Sequence, residues 1–129
     1  MIQRYLKELL ENEIHELIWT VDYRTQNDNL GVVYYSGGEP KKTNDVGDER
    51  LTYQIEIRSS NFDLATYKAQ QVYDFIHGIN DINLTVNTYK EQKIYIQYIK
   101  AITPPLRIGV RDNRMIYTVN FKALILPQC

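Results

Sequence analysis

The chain has 129 residues and a mass of 15.2 kDa, with 43% hydrophobic and 24% charged residues, values of a folded domain and not of a disordered or membrane chain. That length fits a single domain, 1–129, able to bury roughly two-thirds of the surface its unfolded form exposes. A formal net charge of -1 supplies no overall field for nucleic acid or anionic lipid, so any such contact needs a local patch.

Ile2, Tyr5, Leu6, Leu9 and Leu10 recur at three- and four-residue spacing, with Arg4, Lys7, Glu8 and Glu11 between them, which predicts a short amphipathic helix. The charges also break any signal-peptide core, so synthesis in a bacterial cytoplasm is expected, and no run reaches the ~18 apolar residues that span a bilayer. "ELIWTVDY" alternates Leu17, Trp19, Val21 and Tyr23 as a strand, polar "RTQNDN" turns, and "LGVVYYS" is a second strand.

"SGGEPKKTNDVGDER", Ser36 to Arg50, looks most like chemistry. A phosphate loop needs G-x-x-x-x-G-K-[ST] opening a helix. Here Lys41 and Lys42 follow the second glycine too closely, Pro40 removes a donor, and no helix follows. The calcium pattern D-x-[DN]-x-[DN]-G-x5-E fails because Gly47 falls out of register with Asp45 and Asp48. The stretch is expected to be a long flexible loop, about 37–50, joining two strands.

"LTYQIEIRS" alternates Leu51, Tyr53, Ile55 and Ile57 against Thr52, Gln54, Glu56 and Arg58, a strand with one buried and one wet face. The next segment opens with Ser60 and Asp63 in capping-box spacing, carries Phe62, Ala65, Ala69, Val72, Tyr73 and Ile76 as a stripe, and stops at Gly78. His77, in the last turn, suits a charge-dipole role at the helix end. "QKIYIQYIKAI", "LRIGV", the turn "RDNR" and "MIYTVNFKALIL" then read as three strands, with Pro104 and Pro105 breaking the first from the second. In the first of them both faces are apolar, Ile94, Ile96 and Tyr98 against Tyr95 and Ile99, so one face serves either a subunit contact or the helices. The order α-β-β-β-α-β-β-β predicts an α+β fold, a mostly antiparallel sheet with two main helices packed on one face.

Catalytic and cofactor signatures are missing. Cys129 is the only cysteine and His15 and His77 the only histidines, so no disulfide, thiolate metal cluster or Cys-His pair suggests itself, and no G-x-S-x-G elbow occurs. No enzyme, cofactor or metal is expected, although carboxylates can converge without a signature. "KIYIQYIK" has the aromatic and basic composition of an RNA-binding strand but lacks the full motif.

Four features resemble the small tail-terminator, or tail-completion, proteins of long-tailed bacteriophages, often labelled minor capsid proteins. They are the amphipathic start, "YYSGGEP" after a strand, "YQIEIRSSNFDLATYKAQQVYDFIHGI", and "PPLRIGVRDNRMIYTVNFKALI" with Pro105, Gly109 and Asp112 leading into Asn120 and Phe121. The resemblance implies a structural virion protein at the head-tail interface. It implies a ring, usually a hexamer, that caps the finished tail tube and offers the head its docking surface. Its partners would be other copies of itself, the tail tube protein and a head-completion protein of the connector, with DNA only passing through the lumen and no membrane. A connector adaptor or stopper, or from another class a small enzyme or RNA-binding domain, stays open. Under the leading reading, function lies in surfaces. The expected contacts are the loop residues Gly37, Gly38, Glu39, Lys41, Lys42, Asp48 and Arg50, the turn residues Arg111, Asp112 and Arg114, Tyr95 on its two-faced strand, and Arg58 as an inter-subunit ion pair.

Overall fold

The computed structural model describes residues 2–25, 28–39, 49–87 and 90–127. Helix α1 spans Gln3–Glu13 and is followed by strands β1 (Ile18–Val21), β2 (Leu30–Glu39) and β3 (Glu49–Ser59). Helix α2 spans Phe62–Ile76, and β4 (Ile79–Asn87), β5 (Glu91–Ala101), β6 (Leu106–Arg111) and β7 (Arg114–Pro127) complete the chain. The sheet runs β1-β2-β3-β7-β5-β4, and β6 pairs with β7 beside β5. The fold is α+β, as expected.

Both helices cover one face. The odd-numbered residues Leu51 to Ile57 of β3 and Val119 to Ile125 of β7 join one apolar cluster with Leu6 and Leu10 of α1 and Ala65, Ala69, Val72 and Ile76 of α2. Each large side chain fully buried there contributes about 1.5–3 kcal/mol. Helix α1 has no side-chain cap, and the Ile2 amide reaches the buried Tyr53 hydroxyl at 3.4 Å. Burial raises the Tyr53 pKa well above its ordinary value, so the phenol stays protonated.

Several expectations change. The cap of α2 is Asn61, whose side chain accepts from the Leu64 amide, whereas the Ser60 hydroxyl donates to Asp28. Phe62, placed on the stripe, is exposed. His77 is the C-cap of α2, and it also ties α2 to β5: its Nδ1 accepts from the Ala101 amide at 2.9 Å and its ring stacks on Tyr73. Four strands follow α2, not three. The additional one is β4, whose asparagines and Asp81, with a positive φ of 54°, mask the alternation of Ile82, Leu84 and Val86.

The turn expected between β1 and β2 gives a parallel pair, not a hairpin. Asp22 and Asn29 adopt positive φ at the two ends of this connection, and Arg24 within it grips Glu56 of β3 in a bidentate pair at 2.7 and 2.8 Å. That pair and an ion pair at Arg58 bury two side chains on the face expected to be wet, Glu56 at 7% and Arg58 at 3% exposure. The parallel register sets Trp19 beside Gly31, with the indole N–H donating to the Ile14 carbonyl at 3.1 Å. A Cβ on Gly31 would stand 2.4 Å from the Trp19 ring. Gly31→Ala should therefore lower stability by about 1–3 kcal/mol, the usual cost of overpacking, read as a lower urea midpoint with unchanged slope.

Candidate protein interface

The loop expected at 37–50 is shorter at both ends, because Gly37, Gly38 and Glu39 belong to β2 and Arg50 to β3. Gly38 pairs with Leu51 and Glu39 with Arg50. "YYSGGE" is thus a bulge within a strand and not a turn, with the register shifting between Tyr35 and Gly37. Gly38 has φ +137°, and a Cβ there would lie 2.2 Å from the Arg50 carbonyl oxygen, so only glycine keeps the two backbones in register. Glu39 reaches Lys122 of β7 at 3.4 Å. Lys41, Lys42 and Asp48 lie outside the described residues.

Arg58 and the expected turn contacts gather at the opposite end of the sheet. Arg111 and Arg114 pair across the β6-β7 hairpin, whose two turn residues Asp112 and Asn113 both have positive φ, the mark of a type I′ turn. Arg58 reaches Asp112 at 3.4 Å, an ion pair within the chain where one between subunits was expected. Arg114 donates to the Asp112 carbonyl at 2.7 Å, and its buried Nε stands 3.8 Å from Asp28, too far for a hydrogen bond.

Asp28 organises this end, although no spacing in the sequence marks it. Its carboxylate accepts from the Ser60 amide at 2.7 Å and the Ser60 hydroxyl at 2.8 Å. Beside it the Ser59 hydroxyl donates to Asn29 at 2.6 Å. The Ser60 amide, then its hydroxyl, hold the Asp28 pKa below its ordinary 3.8. Arg50 and Arg58 are eight residues apart on β3, which at strand rise separates the two polar ends by about 26 Å.

Tyr95, on β5 across β7 from β3, lies opposite Leu126 at the level of the Arg50 end. On β5 a bulge between Ile96 and Tyr98 resets the alternation. Ile94, Ile96 and Ile99 therefore all join the core cluster, and the strand's two apolar faces become one. Tyr95 is half-buried and donates to Asp81 of β4, which raises the tyrosine's pKa above its usual value. Among the described residues no helix is long and apolar enough to cross a membrane.

Among the described residues no group of three or more His, Cys, Asp or Glu side chains could hold a metal. The family described as bacteriophage tail terminator protein matches residues 9–127. The chain belongs to that family. Comparison with curated proteins finds no match. The terminator family is structural, and membership makes this chain a component of the phage tail. Its match spans both polar ends and every strand.

The depressed Asp28 pKa has a sign. The carboxylate's stabilising contribution is complete above its unfolded pKa and is lost as pH falls through the lower folded value. A carboxylate titration followed by NMR should place Asp28 below 3.8. Asp28→Asn should leave the stability of this end less sensitive to acid; a midpoint at or above the ordinary value would refute the bonding described.

Proposed function

We propose that this tail terminator protein forms a ring, of six copies, that closes the finished tail tube and presents the surface to which the filled head docks. The observation that carries the reading is the separation of two unlike polar ends along one rigid pair of strands. A terminator must meet the tube on one side and a connector protein on the other, and contacts placed at opposite ends of β3 and β7 let one subunit serve both. At one end stand Glu39, Arg50 and Lys122, with the segment carrying Lys41, Lys42 and Asp48 joined to it in sequence; at the other stand Arg111, Asp112 and Arg114.

Assembly is templated. The free protein is weakly committed, and docking on the last tube ring orders segments that lacked the next contact, as happens in a substantial minority of protein complexes. The near-neutral net charge suits a lumen that lets DNA pass without holding it, since phosphate neutralisation drives nonspecific binding. No catalytic step enters this account.

A ring of six has six times the 15.2 kDa of the chain, about 91 kDa. Native mass measurement of the protein mixed with assembled tubes should find that species, and a persistent monomer would rule the ring out. Particles made without the protein should carry tails of abnormal length; normal tails beside full heads would point to a connector adaptor. Lys41→Glu with Lys42→Glu should abolish head-tail joining in a complementation assay, and unchanged joining would remove those lysines from the contact.

A further inference from the structure

Strand β6 is the least protected element of the sheet. Among the described residues it pairs with β7 along one edge and with no other strand, so its second edge keeps backbone groups without a strand partner there. Leu106, Ile108 and Val110 are 44%, 50% and 47% exposed. Leu106 stands opposite Thr118 and Val110 opposite Met115, with Ile108 in the bulge between, so apolar groups flank the edge on both faces. The Arg107 and Arg111 side chains are exposed and make no ion pair with a described residue. Sheet edges are normally blunted because such a row invites another strand.

The far edge of the same layer is β1, which pairs only with β2. Following the register across the sheet puts Ile18, Leu30, Arg58, Ile116 and Gly109 on one row. Thr20, Val32, Glu56, Thr118 and Leu106 form the next row on that face. The two free edges therefore lie at one height, on opposite sides of a five-strand layer. They also run in opposite senses: β1 and β7 follow β2, whereas β6 follows β3.

The β1 edge offers what β6 lacks. Ile18 is 50% and Tyr23 65% exposed. Between β1 and α1 runs a groove of about 790 Å³ lined by Glu8, Val21, Asp22 and Tyr23, with Arg4 and Lys7. Lys7 is engaged by Glu11 at 3.4 Å, which leaves Glu8 and Asp22 against Arg4 and the groove slightly acidic. Arg107 pairs with Tyr117 on the helix-bearing face, the side on which α1 and Glu8 lie.

We propose that β6 of one copy adds antiparallel to β1 of the next, extending the sheet from subunit to subunit around the ring. The pairing rests on the ring reading above and supplies its contact. A cyclic ring needs two unlike patches that meet head to tail at equal height, and rotation about an axis along the strands brings β6 beside β1 at the same rows with the strand directions already opposed. Backbone hydrogen bonds between the edges supply affinity, and the apolar and charged side chains beside them supply selectivity.

Thr20→Cys and Leu106→Cys, combined in a Cys129→Ser background, place one thiol on each edge at a shared row. Mild oxidation of the assembled protein should give a covalent ladder of up to six chains on a denaturing gel, and each single-cysteine protein should give none. Ile108→Lys with Val110→Lys, both at exposed positions, should keep the circular dichroism and melting temperature of the free chain while shifting the native mass from about 91 kDa to 15.2 kDa. If the wild type forms rings but the ladder is missing and the lysine variant still assembles, the β6-β1 pairing is wrong and the ring stands. A wild type that never assembles, alone or on tubes, overturns both.

Discussion

The pairing of β3 with β7 is the constraint on which the rest of the molecule depends. Their antiparallel register runs unbroken from Glu49 opposite Ile125 to Ser59 opposite Met115. Each strand alternates, so one face of the pair stacks Leu51 with Ala123, Tyr53 with Phe121 and Ile55 with Val119 beneath both helices. Cross-strand apolar pairs of this kind fix register, because a slip of one residue would turn every one of them to the other face. Strand β2 builds on the free edge of β3. The free edge of β7 is divided, its first half taken by β6 and its second by β5.

That division sets what each end of the subunit can do. The length of β3 and β7 holds the Glu39-Lys122 contact and the Asp28-Ser60-Arg114 cluster at opposite ends of one rigid pair, so neither end can adjust to a partner without moving the spine. Arg58 shows the cost of burying charge here. At 3% exposure its charge is held by contacts that include Asp112, itself exposed at the hairpin tip, because a buried charge without partners is costly. The hairpin tip is thereby tied to the end of β3, which suits a docking end that must keep its shape.

The sequence is most readable where period and burial agree. Both helices, β3 and β7 announce themselves by apolar spacing, and apart from the exposed Phe62 their core faces follow that spacing. It is least readable where one residue breaks the period. Ser36, Gln97 and Ile108 sit at register shifts in β2, β5 and β6, and no local signal separates such a bulge from a turn or a two-faced strand. Hence Gly37 and Gly38 look like a loop, and Ile94 and Ile99 look as if they face apart. The parallel β1-β2 pair hides for another reason: it depends on Trp19 finding Gly31 and on Arg24 finding Glu56, contacts across 12 and 32 positions. Asp28 carries no motif at all and becomes visible only once Ser60 is beside it.

The free edges of β1, β4 and β6 show why the subunit can be selective without any catalytic chemistry. Strand β4 presents Asn80, Asp81, Asn83 and Thr85 to solvent, and Asp81 breaks the extended backbone with its positive φ. Polar side chains and an irregular backbone are how natural sheets discourage unwanted pairing. Edge β1 has four residues with a helix beside it, so only a strand that also fits the groove against α1 can approach. Edge β6 alone combines exposed apolar groups on both faces with two arginines that have no ion-pair partner among the described residues. Charge repulsion between two β6 edges opposes their pairing with each other, and the β4 edge presents mainly polar groups to solvent, with Ile82 and Leu84 packed against the core. Of the possible pairings among these edges, the unlike one between β6 and β1 is left with complementary surfaces, and an unlike contact repeated head to tail is what closes a ring.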